Sequence, residues 1–199
     1  MGLDSKVLWV GVVALWASGW VESHGRLMEP VSRSSAWRKG FDTPINYDDN
    51  ALFCGGVGVQ YVENDGQCGV CGDNWADPQP RDNEAGGTYG TGLIVANYTM
   101  GQYFVFKCEA GFTFDTVALN ARPDTAAPNN EETMEVGPDT DPEWHYNTVR
   151  LPEDVLCTQC VLQWHYHTGN SWGDCGNGTE ALGCGNQEIF RGCADIGIY

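Results

Sequence analysis

The chain has four histidines and nine cysteines, the residues most able to do chemistry, and one histidine stands apart by its position. His24 opens the stretch His24-Gly25-Arg26-Leu27-Met28-Glu29-Pro30, directly after a segment with the marks of a secretory signal. That segment is Lys6, an apolar run from Val7 to Trp20, and then Val21-Glu22-Ser23. The run is too short to span a bilayer, and it ends in a small residue suited to cleavage. Cleavage after Ser23 makes His24 the mature N-terminus. A free α-amine has a pKa of about 8, so it gives up its proton far more readily than a lysine. The amine and one ring nitrogen of the same residue can then chelate a single metal ion. Copper(II), which favours square-planar nitrogen and oxygen donors, is the ion that suits such a pair. The alternative is a cleavage point that merely falls before a histidine.

The remaining histidines are His145, His165 and His167. The last two fall on one face of an expected strand, with Trp164 and Tyr166 on the other. If the aromatic pair faces the core, both histidines point outward to solvent; a separate metal site is the alternative. Nine cysteines behind a signal indicate disulfides in an oxidising compartment. Cys68-x-x-Cys71 and Cys157-x-x-Cys160 could instead form a split zinc site, but they lie too far apart for the usual zinc module. The odd number leaves one thiol over.

These groups must be positioned by the chain between them. Ser34–Lys39 reads as a short helix with a serine cap. Residues 54–92, rich in Gly, Asp, Asn and Pro, read as a long disulfide-pinned loop with a short strand at Val59–Val62. Leu93–Tyr98, Tyr103–Cys108 and Phe112–Asn120 are rich in β-branched and aromatic residues between glycines, as strands are. Residues 121–143 are acidic and proline-containing, a solvated loop with calcium binding as the alternative. Thr148–Leu151 and Val155–His167 return to strand character. A glycine-rich stapled stretch comes next at 169–185, then a closing strand at Ile189–Tyr199. No long amphipathic helix is expected. The fold class is all-β: an immunoglobulin-like or fibronectin-like β-sandwich with long disulfide-stapled loops.

Composition narrows the partners. Removal of Asp4, Lys6 and Glu22 with the signal turns a formal charge of −17 into −16. Nucleic acid and anionic membranes both require cationic contacts, so neither is an expected partner. A secreted, extracellular domain over residues 24–199 is expected, after a signal peptide at 1–23. Sequons at Asn97-Tyr98-Thr99 and Asn177-Gly178-Thr179 permit glycosylation. His-Glu-x-x-His does not occur, which removes the usual signature of a zincin.

Several segments together resemble one family. They are His24-Gly25-Arg26-Leu27 with Pro30, Arg33-Ser34-Ser35 and Trp37-Arg38; Asn46-Tyr47; Leu52-Phe53-Cys54-Gly55-Gly56; and Cys68-Gly69-Val70-Cys71-Gly72-Asp73. Cys157-x-x-Cys160-Val161-Leu162-Gln163-Trp164, Gly169-Asn170-Ser171-Trp172-Gly173 and the run from Gly183 to Ile196 complete the set. This is similar to the lytic polysaccharide monooxygenases of auxiliary activity family 15, also described by the chitin-binding type-4 domain. The resemblance implies a β-sandwich whose flat face carries one copper ion, used to oxidise C–H bonds in chitin or cellulose.

It also implies a ligand set. His24 matches the N-terminal half of the family's histidine brace. The second histidine of the brace closes a Thr-Ala-Asn-His sequence in the family, and Val95-Ala96-Asn97-Tyr98 is matched to it here, placing Tyr98 at that ligand position. Ala96 and Glu188 are then expected around the metal, and Phe190 at the axial position as a non-ligating shield. A glycan on Asn97 would stand near the copper face. Cys54, Cys68, Cys71, Cys157, Cys160, Cys175, Cys184 and Cys193 are expected in disulfides, with Cys108 unpaired. Three functions remain open: a polysaccharide-binding protein, chitin being the expected polymer, with an incomplete and catalytically silent brace; an active copper monooxygenase acting on chitin or cellulose; and a secreted copper-binding protein with no polysaccharide substrate.

Overall fold

The computed structural model describes residues 24–110, 116–123, 131–134 and 144–199. The expected signal peptide lies outside them, as does most of the acidic stretch 121–143. Strands β1 (Gly25–Glu29), β3 (Tyr103–Ala110) and β6 (Trp144–Arg150) form one sheet in the order β1-β3-β6. Strands β2 (Ala96–Tyr98), β4 (Thr116–Pro123), β5 (Glu131–Met134), β7 (Cys157–His167) and β10 (Ile189–Ile198) form the second, in the order β2-β10-β7-β4-β5. A hairpin of β8 (Trp172–Asp174) and β9 (Glu180–Leu182) stands apart.

The sandwich forms because both sheets alternate apolar and polar residues. From β7, Leu162, Trp164 and Tyr166 turn inward, and from β10, Phe190, Ala194, Ile196 and Ile198. They meet Leu27 of β1 and Phe104, Phe106 and Cys108 of β3. Trp164, Tyr166 and Phe190 stack in a row, with centroids 5.8 and 5.5 Å apart. Gly192 lies where the sheets approach: a β-carbon there would be in van der Waals contact with Leu27, Ser32 and Trp164, each at 3.5 Å.

The outer face of β7 and β10 is also covered, by the loop 54–92. Disulfide Cys71–Cys193 clamps that loop to β10, and Gln163 donates to the Val70 carbonyl. Gly72 adopts a φ of 97° and packs so tightly that a β-carbon would meet the carbonyls of Leu52 and Arg191 at 2.5 and 2.7 Å. The other disulfides are Cys54–Cys68, Cys157–Cys160 and Cys175–Cys184, and Cys108 is a buried free thiol. Both Cys-x-x-Cys pairs are thus oxidised, which removes the zinc alternative.

Several local expectations need correction. Val59–Val62 is no strand but part of a single π-helical turn, Val59–Glu63, entered through the left-handed glycines Gly55 and Gly56. The helix after Pro30 is a 3-10 helix, Arg33–Lys39, whose N-cap Ser32 makes no side-chain cap bond; its hydroxyl bonds Ser35 instead. Within the expected acidic loop, Glu131–Met134 pairs with β4 as a strand. The expected calcium alternative there rests on residues mostly outside those described.

Candidate metal centre

His24 sits at the end of β1, and the residue after it is firmly held. The Gly25 N–H donates to the Asn50 carbonyl at 3.0 Å, and Gly25 bridges Ala51. Next to Asn50, Asp49 is a buried carboxylate gripped by two guanidiniums. Arg26 Nη1 donates to Oδ1 at 2.9 Å, Arg38 Nε to Oδ2 at 2.6 Å, and Arg38 Nη2 to Oδ1 at 2.9 Å. Charge-assisted bonds of this kind are the strong ones. They tie β1, the 3-10 helix and residues 49–51 into one support beneath His24. Sequence reasoning misses this clamp, because no local pattern announces that Asp49 will meet Arg26 and Arg38.

Phe190 lies at the same end of the sandwich. The Arg191 N–H donates to the Leu52 carbonyl at 3.0 Å, and Phe53 stacks on Phe190 at 5.7 Å between centroids. The stretch Asn50–Phe53 therefore links Gly25 to Phe190. Glu188 is also here, accepting a hydrogen bond from Asn170 Nδ2 at 3.0 Å. Its neighbour Gln187 is buried and holds the hairpin loop through Ser171 and the Cys184 carbonyl.

Tyr98 and Ala96 are elsewhere, which corrects their assignment beside the metal. β2 is a three-residue edge strand running parallel to β10, with Ala96 opposite Ile196 and Tyr98 opposite Ile198. Ile198 is eight residues from Phe190 along one strand, about 26 Å at about 3.3 Å per residue. The Tyr98 ring packs on Phe104 at 4.8 Å, and its hydroxyl feels the charge of Glu29. Glu29 is at the other end of β1 from His24, about 17 Å away by the same rise. Burial and then Glu29 push the Tyr98 phenol up to about 12, so it stays protonated at neutral pH and is a poor ligand in any case. The Asn97 sequon shares this location, so a glycan there would not obstruct the His24 end. Asn177 is exposed in the β8–β9 turn, its Oδ1 accepting from the N–H and hydroxyl of Thr179.

Among the described side chains, no other histidine is placed beside His24. On β6, His145 stands opposite Cys108, two strands across from β1 in the row of Leu27. His165 and His167 lie on the face of β7 opposite Tyr166 and Phe190. They are not the exposed pair expected from sequence. His167 is exposed, but the loop 54–92 covers His165, and burial, then Arg191 and His167, lower its pKa to about 4. The strand neighbour of β1 is β3, which contributes Lys107, Cys108, Glu109 and Ala110 opposite it and no histidine. Among the described residues, no group of three or more His, Cys, Asp and Glu side chains could hold a metal. Among the described side chains, His24 alone offers histidine nitrogen at this end, and these do not fit a three-nitrogen copper centre.

What fold and site define is a disulfide-stapled β-sandwich presenting a histidine strand end against a buried aromatic stack. A family model described as lytic polysaccharide mono-oxygenase, cellulose-degrading, matches residues 24–196. The chain belongs to the lytic polysaccharide monooxygenase family. It is similar to the AA15 lytic polysaccharide monooxygenase from Thermobia domestica, solved in the Cu(I) state, at 39% identity and a TM-score of 0.75 over 88% of this chain and 98% of that one. A chitin-binding domain from Burkholderia pseudomallei matches at 14% identity and a TM-score of 0.48, over 89% of this chain and all of that one. No curated protein matches significantly. Among the described residues, no helix is long and apolar enough to cross a membrane.

Proposed function

We propose that this is a secreted, polysaccharide-binding member of the family, with chitin as its polymer, in which the copper brace is incomplete and monooxygenase activity is lost. Residues 1–23 act as the signal and 24–199 as the mature domain. The observation that carries this is the placement of the four histidines, with only His24 at the end where the metal would sit. Copper held there would have two nitrogens from one residue. Losing a partner that merely orients a ligand already costs metal affinity about 10–100-fold, and losing a ligand costs more. Copper remains the ion that His24 suits, in a weakened site.

The test is copper(II) titration with EPR on protein bearing an authentic His24 terminus. Two variants accompany it: one with an extra residue ahead of His24, and Tyr98→His. Weak binding by the wild type, abolished by the extension and unchanged by Tyr98→His, is expected. Sub-micromolar binding with a three-nitrogen spectrum, or oxidised chitin fragments on adding reductant and peroxide, would overturn it. The intact support around His24 favours a second reading, an active copper enzyme acting on chitin or cellulose, and the same titration decides between them. A copper-binding protein without a polysaccharide substrate would bind copper as the wild type is expected to and fail to bind any polymer.

A further inference from the structure

The open face of the three-stranded sheet carries a row of rings and cations that runs along β3 and β6 away from the His24 end. By register, Tyr103 lies opposite Arg150, Val105 opposite Thr148, and Lys107 opposite Tyr146. Tyr103, Val105 and Tyr146 are 64%, 53% and 52% exposed, values unusual for three large apolar residues on one sheet face. Their cations are ordered rather than free: Lys107 Nζ sits 4.1 Å from the Trp144 ring centroid and 5.0 Å from that of Tyr146, and the Arg150 guanidinium lies 5.5 Å from that of Tyr103. Stacking of this kind fixes ring orientation without covering both faces of a ring. Tyr103 and Tyr146 are four residues apart in register, about 14 Å along the strand. The row therefore reaches past a single sugar ring.

Resting on the reading of the protein as a polysaccharide binder, we infer that this β3–β6 face, and not only the His24 end, docks a chain of β-linked N-acetylglucosamine on a chitin surface. Charge selects the occupant. A chain of net charge −17 repels polyanions over long range, so an anionic glycan or nucleic acid is a poor fit. The face itself combines exposed rings with an ammonium that pairs with no carboxylate among the described residues. A neutral pyranose polymer complements both features. Its C–H faces lie on Tyr103 and Tyr146, and Lys107 donates to an oxygen. The acetamido carbonyl of chitin is a better acceptor for that ammonium than the hydroxyls that cellulose alone offers.

The experiment is a depletion assay of the whole secreted protein on chitin powder and on microcrystalline cellulose. Wild type is compared with Tyr103→Ser/Tyr146→Ser and with Tyr47→Ser/Trp172→Ser, which removes two exposed rings outside this face. Each substituted ring is more than half exposed, and circular dichroism and thermal melting confirm that each variant is folded. The β3–β6 pair is expected to lower the chitin partition constant by about tenfold, as two lost aromatic contacts should. Retained chitin binding in that variant, with loss only in Tyr47→Ser/Trp172→Ser, overturns this inference and leaves the polysaccharide reading standing. If the wild type binds neither polymer, both fail; if it binds cellulose better, the acetamido argument fails. Concentration-dependent dimerisation abolished by Tyr103→Ser/Tyr146→Ser would assign the face to a second copy of the chain and also overturn the inference.

Discussion

The buried ion pair between Arg33 and Asp195 joins distant parts of the fold, and Asp195→Asn tests what the loss of one partner costs. Arg33 Nε donates to Asp195 Oδ2 at 2.7 Å and Nη2 to Oδ1 at 2.5 Å, while Nη1 donates to the Asn83 carbonyl at 3.1 Å. The side chains are 4% and 1% exposed, so water cannot take over a lost partner. The pair joins the 3-10 helix, β10 and the loop 54–92, and the Asp195 carbonyl also receives the Val95 N–H that leads into β2. Asn keeps the shape but leaves a buried guanidinium without a counter-charge, which costs about 3–5 kcal/mol. For a chain of this size about 2–4 °C of melting temperature is lost per kcal/mol, giving a drop of about 6–20 °C. Replacing both partners by apolar residues, Arg33→Met with Asp195→Leu, should recover most of the loss, because the uncompensated charge is removed. Urea unfolding of the oxidised protein, followed by tryptophan fluorescence, gives the free energies, and a thermal melt gives the temperature shift. A single-variant cost below about 1 kcal/mol, or a double variant costing the sum of its two singles, would refute the reasoning.

Two titratable groups give further outcomes. His165 is held neutral in the fold, at about 4 against an ordinary 6.5, so the unfolded chain takes up the proton first as pH falls. Stability should therefore be lost between about pH 6.5 and 4, by about 3 kcal/mol, and His165→Gln should flatten that slope in urea titrations at several pH values. Cys108 is 1% exposed, and burial pushes its thiol up to about 12. Iodoacetamide at pH 8 should leave the native protein unmodified and add one label after unfolding without reductant, and fast labelling of the native state would contradict the burial.

Much of this was legible in the sequence because it is local. Alternation in Leu162, Trp164 and Tyr166 names the inward face of β7 without any structure, and the signal expected ahead of His24 names the strand end that could bind metal. The resemblance singles out Cys108 as the thiol left over, and it is the free one. What was not legible depends on pairing between distant segments. Ala96-Asn97-Tyr98 looks like the end of a ligand-bearing strand, yet its chemistry is decided by which end of β10 it pairs with, and register across a hundred residues is not written in four. His165 has the alternation of an exposed residue, and only the Cys71–Cys193 clamp turns that outer face into a covered one. The aromatic row of the β3–β6 face was legible in principle: Tyr103-x-Val105-x-Lys107 and Trp144-x-Tyr146-x-Thr148-x-Arg150 both show the period of two.

In the proposed reading the missing nitrogen belongs to one strand end, and that confinement bears on function. The groups that hold His24 in place, the Asp49 clamp, the Asn50–Phe53 link and the Phe53–Phe190 stack, lie on β1, β10 and the chain between β1 and β2. None depends on a second histidine. Among the described residues, the only strand alongside β1 in its sheet is β3, whose paired residues end at Ala110, and after it the sequence holds no histidine before His145. A donor could therefore vanish from that side without disturbing the scaffold, since function resides in a site grafted on a fold and not in the fold itself. The β3–β6 face is built from the same strand β3 but uses its outward residues, which alternate with the buried Phe104, Phe106 and Cys108. A lost copper site and a retained glycan-binding face would be physically independent on this strand, because successive side chains point to opposite sides of it.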